Sequence, residues 1–154
     1  MSENTRHLNL SGAAMAKINF YTEQTSFSLK QKKKIRSWIE VSILAEGYRL
    51  QELNFIFCND QYLLQINQDF LGHDDYTDVI TFDHTEEAGS IAGDIFISID
   101  RIKENARLFH CKLADELCRV MIHGTLHLLG YKDKTKAAKT QMTTKEDFYL
   151  SMRD

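Results

Sequence analysis

The chain has 154 residues, of which 43% are hydrophobic and 27% charged, and a formal net charge of −3. That length suits one domain with one sizeable core, and the composition excludes fibrous and disordered classes. The negative balance excludes a body that grips duplex nucleic acid by phosphate neutralisation over its whole surface, so any nucleic-acid contact has to be local.

Residues 1–14 are polar and aperiodic, with no basic region leading into an apolar run, so no secretory signal is read there. Met15 is a candidate natural start, which makes 1–14 a leader or disordered extension and 15–154 the single domain. No apolar stretch is long enough to span a bilayer, and a cytoplasmic location is expected. Cys58, Cys111 and Cys118 form an odd set without a Cys-x-x-Cys pair, so neither a disulfide framework nor a thiolate zinc site is expected. All three are read as small buried apolar residues.

In chain order, Ile18 to Tyr21 reads as a strand. From Leu29 to Ala45 apolar residues recur at helical spacing (Ile35, Trp38, Ile39, Ser42, Ile43), with a lysine-rich first half read as a solvated face. Leu53 to Cys58 is a strand, after which Asn59 and Asp60 cap a short helix running to about Phe70. Gly72 to Tyr76 is a polar loop. Val79 to Phe82 and Ile95 to Ile99 are two neighbouring strands, and Asp100 reads as the cap of a helix through Arg107. Helices follow over Leu113 to Leu129 and Ala137 to Met152. The order predicts an α/β fold: one compact domain, a mixed and mostly parallel sheet of about four strands, and helices packed on it. Phe55, Phe57, Phe82 and Phe96 fall on strands and read as core rather than as a base-stacking platform.

The chemistry concentrates in the C-terminal half. His123 and His127 are four positions apart, which puts both rings on one helical face where they can share a metal ion. Gly130 stands where a helix ends in a left-handed turn, and Asp133, six residues beyond His127, is placed to return as a third ligand. Two imidazoles and one carboxylate suit zinc with an open fourth position, and the same set serves non-haem iron or manganese. Peptidases with this spacing carry a glutamate after the first histidine as general base; here the residue is Gly124, so peptide hydrolysis is disfavoured. His7, His84 and His110 lack a partner at ligand spacing.

The run His123-Gly-Thr-Leu-His127-Leu-Leu-Gly130-Tyr131 resembles the signature of the YbeY family, bacterial metal-dependent endoribonucleases that act in ribosomal RNA maturation. Ile66-Asn67, Thr77-Asp78-Val79-Ile80-Thr81-Phe82 and Gly93-Asp94-Ile95 resemble further segments of that family in the same order, so the resemblance covers most of Lys17 to Met152. Two positions depart from the pattern. Asp133 stands where the family usually has a third histidine ligand, which implies a less Lewis-acidic metal. Leu71 stands where the family usually carries a phosphate-holding arginine, leaving His73, Lys132 or Lys134 to supply positive charge.

The resemblance implies metal-assisted cleavage of single-stranded RNA, in contact with ribosomal RNA or the small ribosomal subunit, with zinc at His123, His127 and Asp133. Asp78 or Asp94 would orient ligands or act as base, and Asn67 and Thr77 would line the cleft or hold the loop between helix and strand. Of two basic stretches, Lys132 to Lys139 borders the metal loop and is the better placed to meet RNA. Two other readings stay open: an RNA-binding or ribosome assembly factor whose metal is structural, and a small-molecule metallohydrolase, which would need a deep and mostly apolar pocket. No oligomeric state follows from the sequence.

Overall fold

A computed structural model describes residues 17–73 and 76–153. The leader expected at 1–14 and Asp74 and Asp75 of the polar loop lie outside the described residues. The elements are β1 (Ile18–Glu23), α1 (Lys32–Ala45), β2 (Arg49–Cys58), α2 (Asp60–Ile66) continued by a wider π-type turn (Asn67–Leu71), β3 (Val79–Asp83), β4 (Ser90–Ser98), α3 (Ile99–Leu108), α4 (Leu113–Leu128) and α5 (Lys136–Ser151). The four strands form one sheet in the order β1-β2-β4-β3. β1, β2 and β4 run parallel, and β3 pairs antiparallel with β4. This is the mixed, mostly parallel sheet that the sequence predicts.

Strand alternation divides the sheet into two unlike faces. Leu53, Phe55 and Phe57 on β2 and Ile95 and Ile97 on β4 point to one face and enter the main core with Ile35, Trp38, Ile39 and Ile43 of α1 and Leu117, Met121, Ile122 and Leu126 of α4. On the other face α2 covers one end, where Leu63 closes a smaller cluster with Cys58 and Ile80, packed against by Phe82 and Phe96. The rest of that face carries a polar row. Asn19 donates to Asn54 (3.1 Å), Asn54 donates to Asp94 (3.0 Å), and Asp94 bonds His84 (2.9 Å).

Several boundaries differ from the expectation for identifiable reasons. α1 begins at Lys32 because Gln31 takes a left-handed conformation (φ 59°), while Leu29 folds back into the core. Asn59 caps α2 as expected, accepting from Tyr62 N–H (2.8 Å). The cap of α3 is Ser98, not Asp100: the Ser98 hydroxyl accepts from Arg101 N–H (3.3 Å), whereas Asp100 accepts from Asp60 N–H. Cys58 and Cys118 are buried, but Cys111, in the turn before α4, is exposed.

α4 sits close against the sheet because two glycines make room for it. A Cβ on Gly124 would lie 2.8 Å from Ile95 Cγ2, and one on Gly93 would lie 2.8 Å from Leu128 Cδ1 and 2.6 Å from the Phe82 carbonyl. Any side chain at these positions would push helix and strand apart. Trp38 ties α1 to α5 by donating its indole N–H to the Tyr149 carbonyl (2.7 Å).

Candidate metal centre and its cleft

The C-terminal end of α4 presents His123 and His127 one turn apart, with ring centroids 4.6 Å from each other. Gly130, at φ +107°, ends the helix: its N–H donates to the His127 carbonyl (3.0 Å) and Tyr131 N–H donates to the Leu126 carbonyl (3.0 Å). These two bonds form a Schellman turn, which only a residue at ease with positive φ supports. The turn returns the chain so that Asp133 Oδ2 lies 3.2 Å from His127 Nε2 and 3.4 Å from His123 Nε2. His123, His127 and Asp133 are the group of possible metal ligands among the described residues, their donor atoms all within 4.8 Å of one another.

The outer ring nitrogens explain why both Nε2 atoms face the same point. His123 Nδ1 bonds Glu146 Oε2 at 2.5 Å, and His127 Nδ1 bonds the Tyr131 carbonyl at 3.0 Å. Since a carboxylate and a carbonyl only accept, each Nδ1 carries the proton; each Nε2, which faces the acceptor-only Asp133 Oδ2, would then offer its lone pair to a metal standing between them. Tetrahedral zinc with bonds of about 2.0–2.1 Å has ligand-to-ligand edges of about 3.3 Å. The two Nε2 to Oδ2 separations bracket that value, so the donor set fits such an ion in chemistry and along both edges to Asp133.

Behind the ligands stands a support that the sequence reading missed. Glu146 is buried (6% exposed) and holds His123 with one oxygen while the other accepts from Arg119 Nη1 (2.8 Å); Arg119 also pairs with Asp147 (2.7 Å). Burial opposes a charge on His123, but the Glu146 bond and charge, with Asp133 and Asp78, outweigh it and hold the imidazole pKa above its ordinary value. A signal for Glu146 was present: Met142, Glu146 and Tyr149 are the buried positions of α5, at helical spacing, so Glu146 is a carboxylate on an apolar face. The loop has its own anchor. Tyr131 O–H donates to Glu46 (2.7 Å), a carboxylate that also accepts from Lys145 (3.0 Å) and Tyr149.

A cleft of about 530 Å³ opens in front of the ligands, lined by Asn67, Leu71, His73, Thr77, Asp78, His123, His127, Asp133 and Lys134 among others. Another cavity, of about 550 Å³ between Phe27, Ile35 and Leu117, is lined by apolar and basic residues and lacks the ligand set. The chemistry is therefore assigned to the first. Its walls include exposed residues, so it is an open groove rather than a deep apolar pocket, and its charges are mixed, with Asp78, Asp133 and Lys134 all in the lining.

Of the residues expected at the site, Asn67, His73, Thr77, Asp78 and Lys134 meet there with the three ligands. Asn67 is nearly fully buried, and its carbonyl accepts from Gly72 N–H and from His73 N–H (3.2 Å), so it also holds the loop. Asp78 accepts from Asn105 Nδ2 (3.4 Å), and burial pushes its carboxyl pKa up, against the opposing charge of His123. Asp94 does not join the site. It alternates with Gly93 and Ile95, which face α4, and so stands on the opposite face in the polar row with Asn54 and His84. Lys132 is exposed and does not line the cleft.

A two-histidine, one-carboxylate centre at the end of a helix laid on a mixed four-stranded sheet defines a small α/β metalloprotein of the hydrolase type. A family model described as Endoribonuclease YbeY matches residues 17–153, and the chain belongs to that family. It is 56% identical over 136 residues to Endoribonuclease YbeY of Cytophaga hutchinsonii, an alignment covering 88% of this chain and 95% of the relative. To Endoribonuclease YbeY of Porphyromonas gingivalis it is 45% identical over 138 residues, covering 90% and 91%. The solution structure of TM1509 from Thermotoga maritima superposes with a TM-score of 0.61 at 29% identity, covering 87% of each chain.

Proposed function

We propose that the protein is a zinc-dependent endoribonuclease that cleaves single-stranded RNA in the cleft before His123, His127 and Asp133, and that it acts in the cytoplasm on ribosomal RNA of the small subunit. The carrying observation is the convergence of both Nε2 atoms on Asp133 Oδ2, at 3.2 and 3.4 Å, within an open groove. Family membership supplies the reaction class, hydrolysis of RNA phosphodiester bonds. No helix among the described residues is long and apolar enough to cross a membrane.

A bound zinc ion would supply Lewis acidity toward a phosphate oxygen and make water a stronger acid. The chain's own residues do the rest. Glu146 and the Tyr131 carbonyl fix the two rings, so the ligand geometry is set before substrate arrives. Lys134 and His73, which line the same cleft, hold the phosphodiester in the place of an arginine at position 71. Asp78, half-buried beside His123 and steadied by Asn105, takes the proton of the attacking hydroxyl as the P–O bond to the leaving ribose oxygen breaks, and that oxygen is protonated from water in the open groove. Asn67 holds His73 through its carbonyl, and the Thr77 hydroxyl donates to the Val79 carbonyl (3.5 Å) at the start of β3, beside Asp78.

The test is cleavage of single-stranded RNA by wild type and His123→Ala, with metal content measured on the same preparations. Cleavage that disappears together with the metal supports the reading; a wild type with stoichiometric zinc that cleaves no RNA refutes it. The fold should survive this change. Both histidines lie at the rim of the core, and each buried Leu- or Ile-sized chain in that core contributes about 1.5–3 kcal/mol without the metal.

A further inference from the structure

The cleft has an outer wall that the metal set and the phosphate contacts leave unused. Leu71 and Tyr76 both line it, and both are large apolar groups left open to water, 45% and 54% exposed. The Tyr76 ring is braced from behind: the Arg101 guanidinium carbon lies 6.0 Å over its centroid. Arg101 is itself fixed, with Nε 3.2 Å from both oxygens of Asp60, and Asp60 also accepts from the Ser98 hydroxyl (2.6 Å). The ring is therefore held by the first turns of α2 and α3 and is more than a loose loop residue.

We propose that Tyr76, in a cleft that Leu71 also lines, is a nucleobase-stacking subsite that holds one base of a single-stranded RNA next to the phosphate in the cleft. The proposal rests on the ribonuclease reading and adds to it what selects the strand. Two observations lead to it. Phosphate-neutralising side chains are scarce at this groove, since Leu71 offers no charge and, apart from the ligand histidines, Lys134 and His73 share the lining with two carboxylates, Asp78 and Asp133. Affinity must then come from a contact that needs no charge, and an exposed aromatic face provides one. Stacking also discriminates in the required sense. Every base has a π-face, so sequence matters little, while a base inside a duplex has both faces covered by its neighbours and cannot use the site.

A contact made equally before and during reaction changes KM and leaves kcat alone. Tyr76→Ala should therefore raise KM for a short single-stranded RNA by ~10- to 100-fold with kcat nearly unchanged, and Tyr76→Phe should stay near wild type. The same oligomer is then made with one abasic nucleotide at each position in turn. At one fixed offset from the cleaved bond the abasic substrate should cost wild type the same factor, and should cost Tyr76→Ala nothing further. Direct binding of these oligomers by fluorescence anisotropy, with a urea midpoint for each variant, separates lost contact from lost fold. A Tyr76→Ala protein of native stability with KM within about twofold of wild type overturns the subsite, as do losses from mutation and abasic site that multiply. In both cases wild type still cleaves, so the ribonuclease reading stands; a wild type that neither binds nor cleaves the intact strand removes both.

Discussion

Glu146 gives the sharpest prediction because its contribution to the metal centre can be separated from its contribution to the fold. It accepts from His123 Nδ1 at 2.5 Å while 6% exposed, so the bond is charge-assisted and shielded from water. Removing such a partner of a ligating histidine typically weakens metal binding about 10- to 100-fold, or about 1.4–2.7 kcal/mol. Burial and the short bond place Glu146→Ala at the upper end. Glu146→Gln keeps an accepting oxygen for His123 but turns its NH₂ toward Arg119, so about tenfold is expected. Arg119 keeps Asp147 at 2.7 Å and is more than a third exposed, so it is not left as a buried, unpaired charge. Without Glu146 the His123 pKa falls, which lessens proton competition and partly masks the loss at low pH. Zinc affinity is therefore measured by chelator competition at about pH 7 and 9, with the larger loss expected at the higher value, alongside urea unfolding of the metal-free proteins. An affinity for Glu146→Ala within about threefold of wild type at both pH values would refute the reasoning.

Three further outcomes are expected. Gly124→Ala places a methyl 2.8 Å from Ile95 Cγ2, and should lower the unfolding free energy in urea by about 1–3 kcal/mol. Burial raises the Glu46 carboxyl pKa, but bonds from Tyr149, Tyr131 and Lys145 outweigh it, leaving it below the ordinary 4.5. Such a depressed pKa gives stability that is present above 4.5 and is lost as pH falls through the folded value, so the advantage of wild type over Glu46→Gln in urea midpoint should shrink below about pH 4.5. Burial pushes the Cys58 thiol up to about 12 and also raises that of Cys118, so iodoacetamide on the native protein should modify Cys111 alone, as read by peptide mass spectrometry.

How far the sequence carried depended on whether a feature was local. The buried face of α1 is the set its periodicity names, and the turn at Gly130 that returns Asp133 follows from residues within one helix end. Features made by elements meeting were harder. Asp94 follows a glycine in a motif-like run, but its side is fixed by strand parity together with the side on which α4 packs. Parity alone does not say which face is which. Glu146 lies 23 residues from the histidine it holds; helical spacing marks the face it shares with Met142 and Tyr149 but not the helix which that face meets. Cys111 looks like its buried siblings by composition, yet it falls in a turn where the chain runs at the surface.

The contact at Gly124 also bears on what this scaffold can become. The position that carries the general-base glutamate in peptidases of similar spacing is here pressed against Ile95, which a Cβ would meet at 2.8 Å. Changing the reaction class is thus not one codon away: a glutamate there would first require α4 to lift off the sheet, and the histidines would move with it. A designer who wanted peptide hydrolysis would have to cut back Ile95 before introducing the acid. In that sense the helix-to-sheet spacing, rather than the identity of the metal, guards this fold's chemistry against drift.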